Sequence, residues 1–417
     1  MPSPASPERS TAQSLHARWI VVDPDVVLQD AVLELRAGRV VRVLRGTAAR
    51  RARGAARALH VDGVVTAGLV NAHAHLELGW AARALRPGLS MARWIEQLLA
   101  LRRAQRPEQL ARLQSDALRA GARALLESGC TQVGDIQVDP GSHAALAATG
   151  LQGVAFLELL DAGRTERTAE ALRSARARLR LATRAGPRVG LSPHAPYTTS
   201  PELLRGIGAL ARRRPRLPLA VHWAEFAAEN AWLEHGRGPL KRLLTASPRC
   251  SGLDLLEAVG LLRTGTLLVH ANEARAAERE RVAASGACVV HCPGAHRWFR
   301  RAPFDLRAWL RAGVPVALGT DSLAGNEGLD MRRELALLRA SHPWLAPAQA
   351  WRSATVEGAR ALGGDELGGT LRPGAVAAWV GFRVAAQRAS EVLEVLTTGC
   401  PDLLDPPRVS RPRAARG

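Results

Sequence analysis

From Val64 onward the chain switches between short apolar runs of β character and amphipathic helical stretches, eight times over about 260 residues. The runs are Val64 to Leu78, Thr131 to Ile136, Val154 to Leu160, Val189 to Pro193, Leu219 to Trp223, Thr266 to His270, Ala287 to His291 and Val314 to Asp321. Helical periodicity lies between them: Met91, Trp94, Ile95 and Leu98 recur at i, i+3, i+4 and i+7, and Thr165 to Ala185 is rich in Ala and Arg. Eight such units predict an α/β fold, a (β/α)8 barrel of TIM type, whose reactive groups sit at the carboxyl ends of the strands. The polar residues fall there. His73 and His75 end the first run, His194 follows the fourth, and His222, His270, His291 and Asp321 end the fifth to the eighth. One such histidine is no more than a packed side chain; six of eight runs ending this way points to a site.

His73 and His75 are spaced to share one face of a strand. Two neutral imidazoles make a weak site for zinc or iron(II), so further His or Asp ligands must converge from elsewhere. Residues 17–62 alternate short β pieces (Trp19 to Val22, Val26 to Leu35, Val40 to Leu44) with turns, and 364–405 return to that character around Gly368 to Gly374. The two stretches predict a small β-sandwich domain formed by both chain ends, flanking a barrel over 63–363. Residues 1–16 read as a loose tail and 406–417 as a disordered basic one.

Composition removes other classes. No apolar run approaches the roughly 18 residues of a membrane span, and Met1 to Ser10 has no apolar core of a signal peptide, so a cytoplasmic protein is expected. The five cysteines are scattered without a Cys-X-X-Cys pair, against a disulfide framework or a zinc ribbon. A net charge of +19 invites a nucleic-acid reading. But Lys241 is the only lysine, and the arginines cluster at Arg50 to Arg53, Arg212 to Arg216 and Arg408 to Arg416 without interleaved aromatics. The expected partner is a small heterocyclic substrate, with no specific nucleic acid and no membrane; a homo-oligomer is left open.

Five stretches together resemble the amidohydrolase superfamily, in its aminohydrolase and chlorohydrolase branch: Gly68-Leu69-Val70-Asn71-Ala72-His73-Ala74-His75, His222-Trp223-Ala224-Glu225, Val269-His270-Ala271-Asn272, His291-Cys292-Pro293 and Leu318-Gly319-Thr320-Asp321-Ser322. The resemblance implies one divalent ion, Zn²⁺ or alternatively Fe²⁺, held by His73, His75, His222 and Asp321. It further implies Glu225 as proton shuttle and His270 beside the attacking water, with Asp321 helping to orient it. Binuclear members bridge two metals with a lysine at the end of strand four; Lys241 lies after run five, so that bridge is absent. Glu158 in run three is an alternative ligand, weighed against a substrate contact or packing.

Run four, Ser192-Pro193-His194-Ala195-Pro196-Tyr197, resembles the substrate-contacting segment of mononuclear deaminases and makes His194 a substrate contact. With His291 to Phe299 it is most similar to the aminodeoxyfutalosine deaminases of the alternative menaquinone route, and next to the methylthioadenosine and adenosylhomocysteine deaminases. The implied reaction is hydrolytic deamination of an adenine-nucleoside-type substrate. The alternative is a chlorohydrolase or cyclic amide or amidine hydrolase acting on another heterocycle. Arg297, and beside it Arg102 and Arg103, are candidates for a substrate carboxylate. Gly294 and Ala295 stand where Arg-Ser is usual in the family, Gly325 replaces a common Ser or Ala, and Ala377-Ala378-Trp379 replaces Ala-Asp-Leu.

Overall fold

A computed structural model describes residues 13–54, 58–139, 141–180, 187–244, 246–363 and 368–409. The amino-terminal strands are β1 (Gln13–Asp23), β2 (Val26–Arg36), β3 (Arg39–Leu44) and β4 (Ala58–Ala67). The barrel strands follow as β5 (Leu69–Ala74), β6 (Cys130–Gln137), β7 (Gln152–Leu159), β8 (Arg188–Pro193), β9 (Leu219–Trp223), β10 (Thr266–His270), β11 (Cys288–His291) and β12 (Val316–Leu318). The chain then returns through β13 (Ala378–Phe382) and β14 (Leu403–Val409) to the first sheet, whose order is β14-β13-β4-β1-β2-β3.

Strands β5 to β12 lie side by side in chain order and all their pairings are parallel. A parallel bridge between Ala74 and Asp321 closes the ring. Two amides, Thr320 N–H and Asp321 N–H, both donate to His73 O at 3.0 and 3.1 Å across this seam. Gly319 makes the approach possible: a Cβ there would lie 2.7 Å from His73 O and 2.9 Å from His73 Cβ. Inside the ring, Val70, Val154, Phe156, Ala220, Leu267 and Val290 form one apolar core. A larger core, including Leu118, Leu204, Leu253 and Leu335, lies between strands and helices. Local signals set the helix starts. Ser200 accepts from Leu203 N–H ahead of Pro201, and Ser251 and Asp254 form a reciprocal cap.

The first apolar run proves to be two elements. Val64 to Ala67 belongs to β4 and pairs with β1 and β13 in the small sheet; after Gly68 only Leu69–Ala74 enters the barrel. An apolar run carries no mark of which sheet completes its hydrogen bonds. The small domain, read as a sandwich, is one six-stranded sheet folded over its own core. Val40 N–H donates to Ala375 O and Ala377 N–H to Gly38 O, bringing the lead into β13 onto β3 around Leu15, Ile20, Leu371 and Trp379.

Strand pairing also claims chain that composition gives to tails. Gln13 to His16 belongs to β1, and β14 runs to Val409. β14 is an edge strand, where proline costs no ladder donor, so Pro406 and Pro407 do not stop it. The rest of both expected tails, residues 1–12 and 410–417, lies outside the described residues. Two helices were not anticipated, Gly46–Arg53 and Ala389–Thr398; the second buries Val392, Leu393 and Leu396 in the outer core.

Candidate metal centre and active site

The period of two along a strand decides what the barrel mouth displays. On β7 the inward face passes from Val154 and Phe156 to Glu158, and on β9 from Ala220 to His222. At the strand ends the backbone then departs from regular geometry. His73 is the next-to-last residue of β5, within a register shift against β6 between Asn71 and Ala74, and His75 lies past the strand, at the head of the 3-10 turn Leu76–Ala81. Ala224, His270, Ala271 and Asp321 all have left-handed φ, at 49°, 75°, 50° and 58°. Such conformations are costly for residues with a Cβ and persist where surrounding contacts enforce them. Four of them at one barrel mouth re-aim side chains toward a single spot.

The four residues implied as metal ligands converge there. His75 Nε2 is 3.1 Å from His222 Nε2, and Asp321 Oδ1 is 3.8 Å from His73 Nε2 and 3.9 Å from His75 Nε2. Atoms each about 2.0–2.2 Å from one shared cation stand roughly 3–3.7 Å apart in tetrahedral geometry, so the spacing suits a single zinc-like ion. Two overlapping groups, His73 with His222 and His270, and His73 with His75 and Asp321, have ligand atoms all within 4.8 Å of one another. Glu158 is in neither group, which leaves it for another task.

Chemistry of the donor set supports the fit. Both ring nitrogens of His73 are buried without a hydrogen-bond partner among the described residues. An orphaned imidazole of that kind is costly unless something binds it. His222 Nδ1–H donates to His194 O at 2.7 Å, a tautomer that leaves Nε2 as a bare lone pair. Burial, reinforced by the neighbouring imidazoles, holds His73, His75 and His270 well below the ordinary histidine range, and His222 is lowered for the same reasons. The rings are therefore neutral at pH 7, the form in which an imidazole can bind a cation. Burial pushes the Asp321 carboxyl up to about 8, with Glu225 adding to the effect. An anion at that place calls for a cation beside it.

Around these groups stand the others. Glu225 is buried, with Oε2 3.8 Å from His270 Nε2 and Oε1 2.7 Å from Arg301 Nη2. Its backbone is held on both sides: Glu225 N–H and Ala224 N–H donate to the Glu229 carboxylate, and Asn272 Nδ2–H donates to Glu225 O. The His194 ring lies 4.9 Å from that of His222, and its Nδ1 is 2.6 Å from Thr198 Oγ1. Burial pushes this imidazole down to about 4. Glu158 is half-buried, raised by burial and countered by His222 and Arg102, and no hydrogen bond to its carboxylate is found among the described residues. Trp94, Tyr197, Phe226 and Phe299 make an aromatic rim, with Trp94 edge-on to Phe299 and Tyr197 edge-on to Phe226.

Arg297 does not join this group. It is exposed on the helix Pro293–Trp298, whereas Arg301, four residues on, reaches the site. Sequence reasoning missed Arg301 because nothing local separates it from the other arginines. Glu334 was missed as well. It is fully buried on the helix Met331–Ser341 and accepts from Gly294 N–H at 2.6 Å and Asn326 Nδ2–H at 2.7 Å. Asn326 Nδ2 also donates to Thr320 O, so one carboxylate ties the segment after β11 to the loop carrying Asp321. Gly294, a departure from the family pattern, is explained here: a Cβ would stand 2.4 Å from both Asn326 Oδ1 and Glu334 Oε1.

Comparison with known proteins bears on the family and the fold. The family profile described as "Amidohydrolase family" matches residues 64–397. The aminodeoxyfutalosine deaminase of Deinococcus radiodurans is 34% identical over 314 residues, 71% of this chain and 72% of that protein. Among solved structures, Helicobacter pylori aminofutalosine deaminase in complex with methylthio-coformycin superposes with a TM-score of 0.84 at 21% identity, covering 95% of this chain and 98% of that one. An adenosine deaminase from Xanthomonas campestris with bound zinc gives 0.77 at 25% identity, covering 95% and 91%. The fold, the extent of the match and the degree of identity lead to one conclusion: this chain is a hydrolase of the amidohydrolase family.

Proposed function

We propose that this chain is a metal-dependent aminohydrolase that removes the amino group from the six-membered ring of an adenine nucleoside, with aminodeoxyfutalosine as the first candidate substrate and menaquinone synthesis as the setting. The observation that carries this reading is the convergence of His73, His75, His222 and Asp321 on one spot, with Glu225, His270 and His194 beside it and an aromatic rim above. The relatives named above supply the substrate class, and the zinc of the Xanthomonas structure makes Zn²⁺ the first choice of ion. No helix among the described residues is long and apolar enough to cross a membrane, which agrees with a cytoplasmic site of action.

When bound, a Zn²⁺ or Fe²⁺ ion would supply Lewis acidity, lowering the pKa of a water to about 7 so that it can attack at neutral pH. His73, His75, His222 and Asp321 would hold the ion. Glu225, through Oε2, takes the proton of the attacking water and passes it to the ring nitrogen and then to the departing amine. His270, 3.8 Å from that oxygen, orients the water by hydrogen bonding as the ring carbon becomes tetrahedral. The aromatic rim stacks the purine, and the Glu158 carboxylate accepts hydrogen bonds from sugar hydroxyls.

Ammonia release tests the reading. Purified zinc-loaded protein is expected to deaminate aminodeoxyfutalosine, 5'-deoxyadenosine or methylthioadenosine. Silence across that panel, with chloride release from a chlorinated triazine, would overturn it in favour of the chlorohydrolase alternative.

A further inference from the structure

The shortest side-chain contact of Glu225 is with an arginine that no family resemblance singled out. Arg301 Nη2–H donates to Glu225 Oε1 at 2.7 Å, and both side chains are nearly closed to solvent, 12% and 8% exposed. Its guanidinium lies 5.1 Å from the Phe299 ring centroid and 5.8 Å from that of Phe226, so cation–π contacts with both rings hold the charge in an apolar wall. At its base Arg301 N–H donates to His296 O, just after Arg300 takes a left-handed turn at φ 51°.

These contacts limit what Glu225 can do. Its main chain is fixed by Glu229 and Asn272, so the remaining freedom is rotation of the side chain. A carboxylate free to rotate would offer either oxygen in many orientations. The arginine takes Oε1 and leaves Oε2 facing His270 at 3.8 Å. We propose that Arg301 is the positioning residue for the Glu225 proton shuttle, fixing which carboxylate oxygen meets the reacting atoms. The proposal rests on the deaminase reading of Glu225. A lysine would not serve equally, because a point charge on a flexible stem lacks the planar fork that two aromatic faces can hold.

The test uses full-length zinc-loaded Arg301→Gln and Arg301→Lys. Misplacing a reacting group by about 1 Å costs on the order of 10²-fold in rate, so kcat of Arg301→Gln is expected to fall by about that factor with KM within about threefold of wild type. Metal content should be unchanged, and guanidinium ion added to Arg301→Ala should restore part of the rate. On a Glu225→Gln background the Arg301→Gln change should cost almost nothing further, since both act through one group. A crystal structure of Arg301→Gln should show the Glu225 carboxylate turned away from His270. Wild-type kcat in Arg301→Gln, or an equal loss in the Glu225→Gln background, would overturn the proposal. So would an unmoved Glu225 in the crystal, a readout that stands even if wild-type protein proves silent on every nucleoside. If Arg301→Gln does not fold, Arg301→Lys is expected to fold and to show the same kcat loss at unchanged KM; full activity in it is the refuting result.

Discussion

Replacing Gly319 by alanine tests the barrel seam and the metal centre together. The added Cβ would lie 2.7 Å from His73 O, 2.9 Å from His73 Cβ and 3.0 Å from His73 N, all of them closer than ordinary contact. These are backbone or backbone-proximal atoms, so no side-chain rotation relieves the overlap, and β12 must move away from β5 by a sizeable fraction of an ångström. Overpacking of this kind costs about 1–3 kcal/mol. The same shift stretches the bond from Asp321 N–H to His73 O and the bonds from the one Thr320 N–H that is shared between His73 O and Asn71 Oδ1, each donor worth about 1 kcal/mol. A total of about 4 kcal/mol follows. At about 2 cal/mol/K of unfolding entropy per residue, it corresponds to a melting point about 5 °C lower. His73 and Asp321 also sit on opposite sides of the seam, so metal affinity should fall by about 10–100-fold, as when the supports of a ligand are lost. Differential scanning calorimetry and metal titration by competition with a chromogenic chelator measure both quantities. A variant that melts within about 1 °C of wild type and keeps its metal affinity would refute the argument that Gly319 exists to let β12 close on His73.

Two further outcomes concern the proposed shuttle beside its metal ligands and one buried carboxyl of β6. Glu225→Gln should keep its metal, because Glu225 is in neither ligand group, yet lose about 10²–10⁴ in turnover, while Asp321→Asn should lose metal on dialysis; metal analysis alongside ammonia release separates the two. Asp135 is fully buried, accepts from Leu76 N–H and Gln137 Nε2–H, and is pushed by burial up to about 8. Its protonated form is thus favoured in the folded state, and the stability this contributes is present below its ordinary range near 4 and is lost as pH rises toward 8. Asp135→Asn should therefore flatten the dependence of urea unfolding on pH between about 4 and 8, and an unchanged slope would count against it.

The chain itself was enough to specify the repeating β and α units, because the apolar runs and helical periodicities are local, and enough to mark the residues that end each strand. His73, His222 and His270 stood out as candidates for that reason, since position at or near a strand end is a one-dimensional property, whereas His75 and Asp321 lie past the ends of β5 and β12 and were marked by the family resemblance. Which sheet a run joins was not legible. Val64 to Ala67 and Leu69 to Ala74 read as one stretch, yet they complete their hydrogen bonds in different sheets. Nor could the sequence tell Arg301 from Arg297, or find Glu229 and Glu334. A charged residue's role depends on what has been buried around it, and burial is decided only when distant segments pack: Phe226 and Phe299 around Arg301, Gly294 and Asn326 against Glu334. Tertiary structure alone turned three surface-like charges into supports of the candidate site, because water had to be removed before a single hydrogen bond could hold a loop in place.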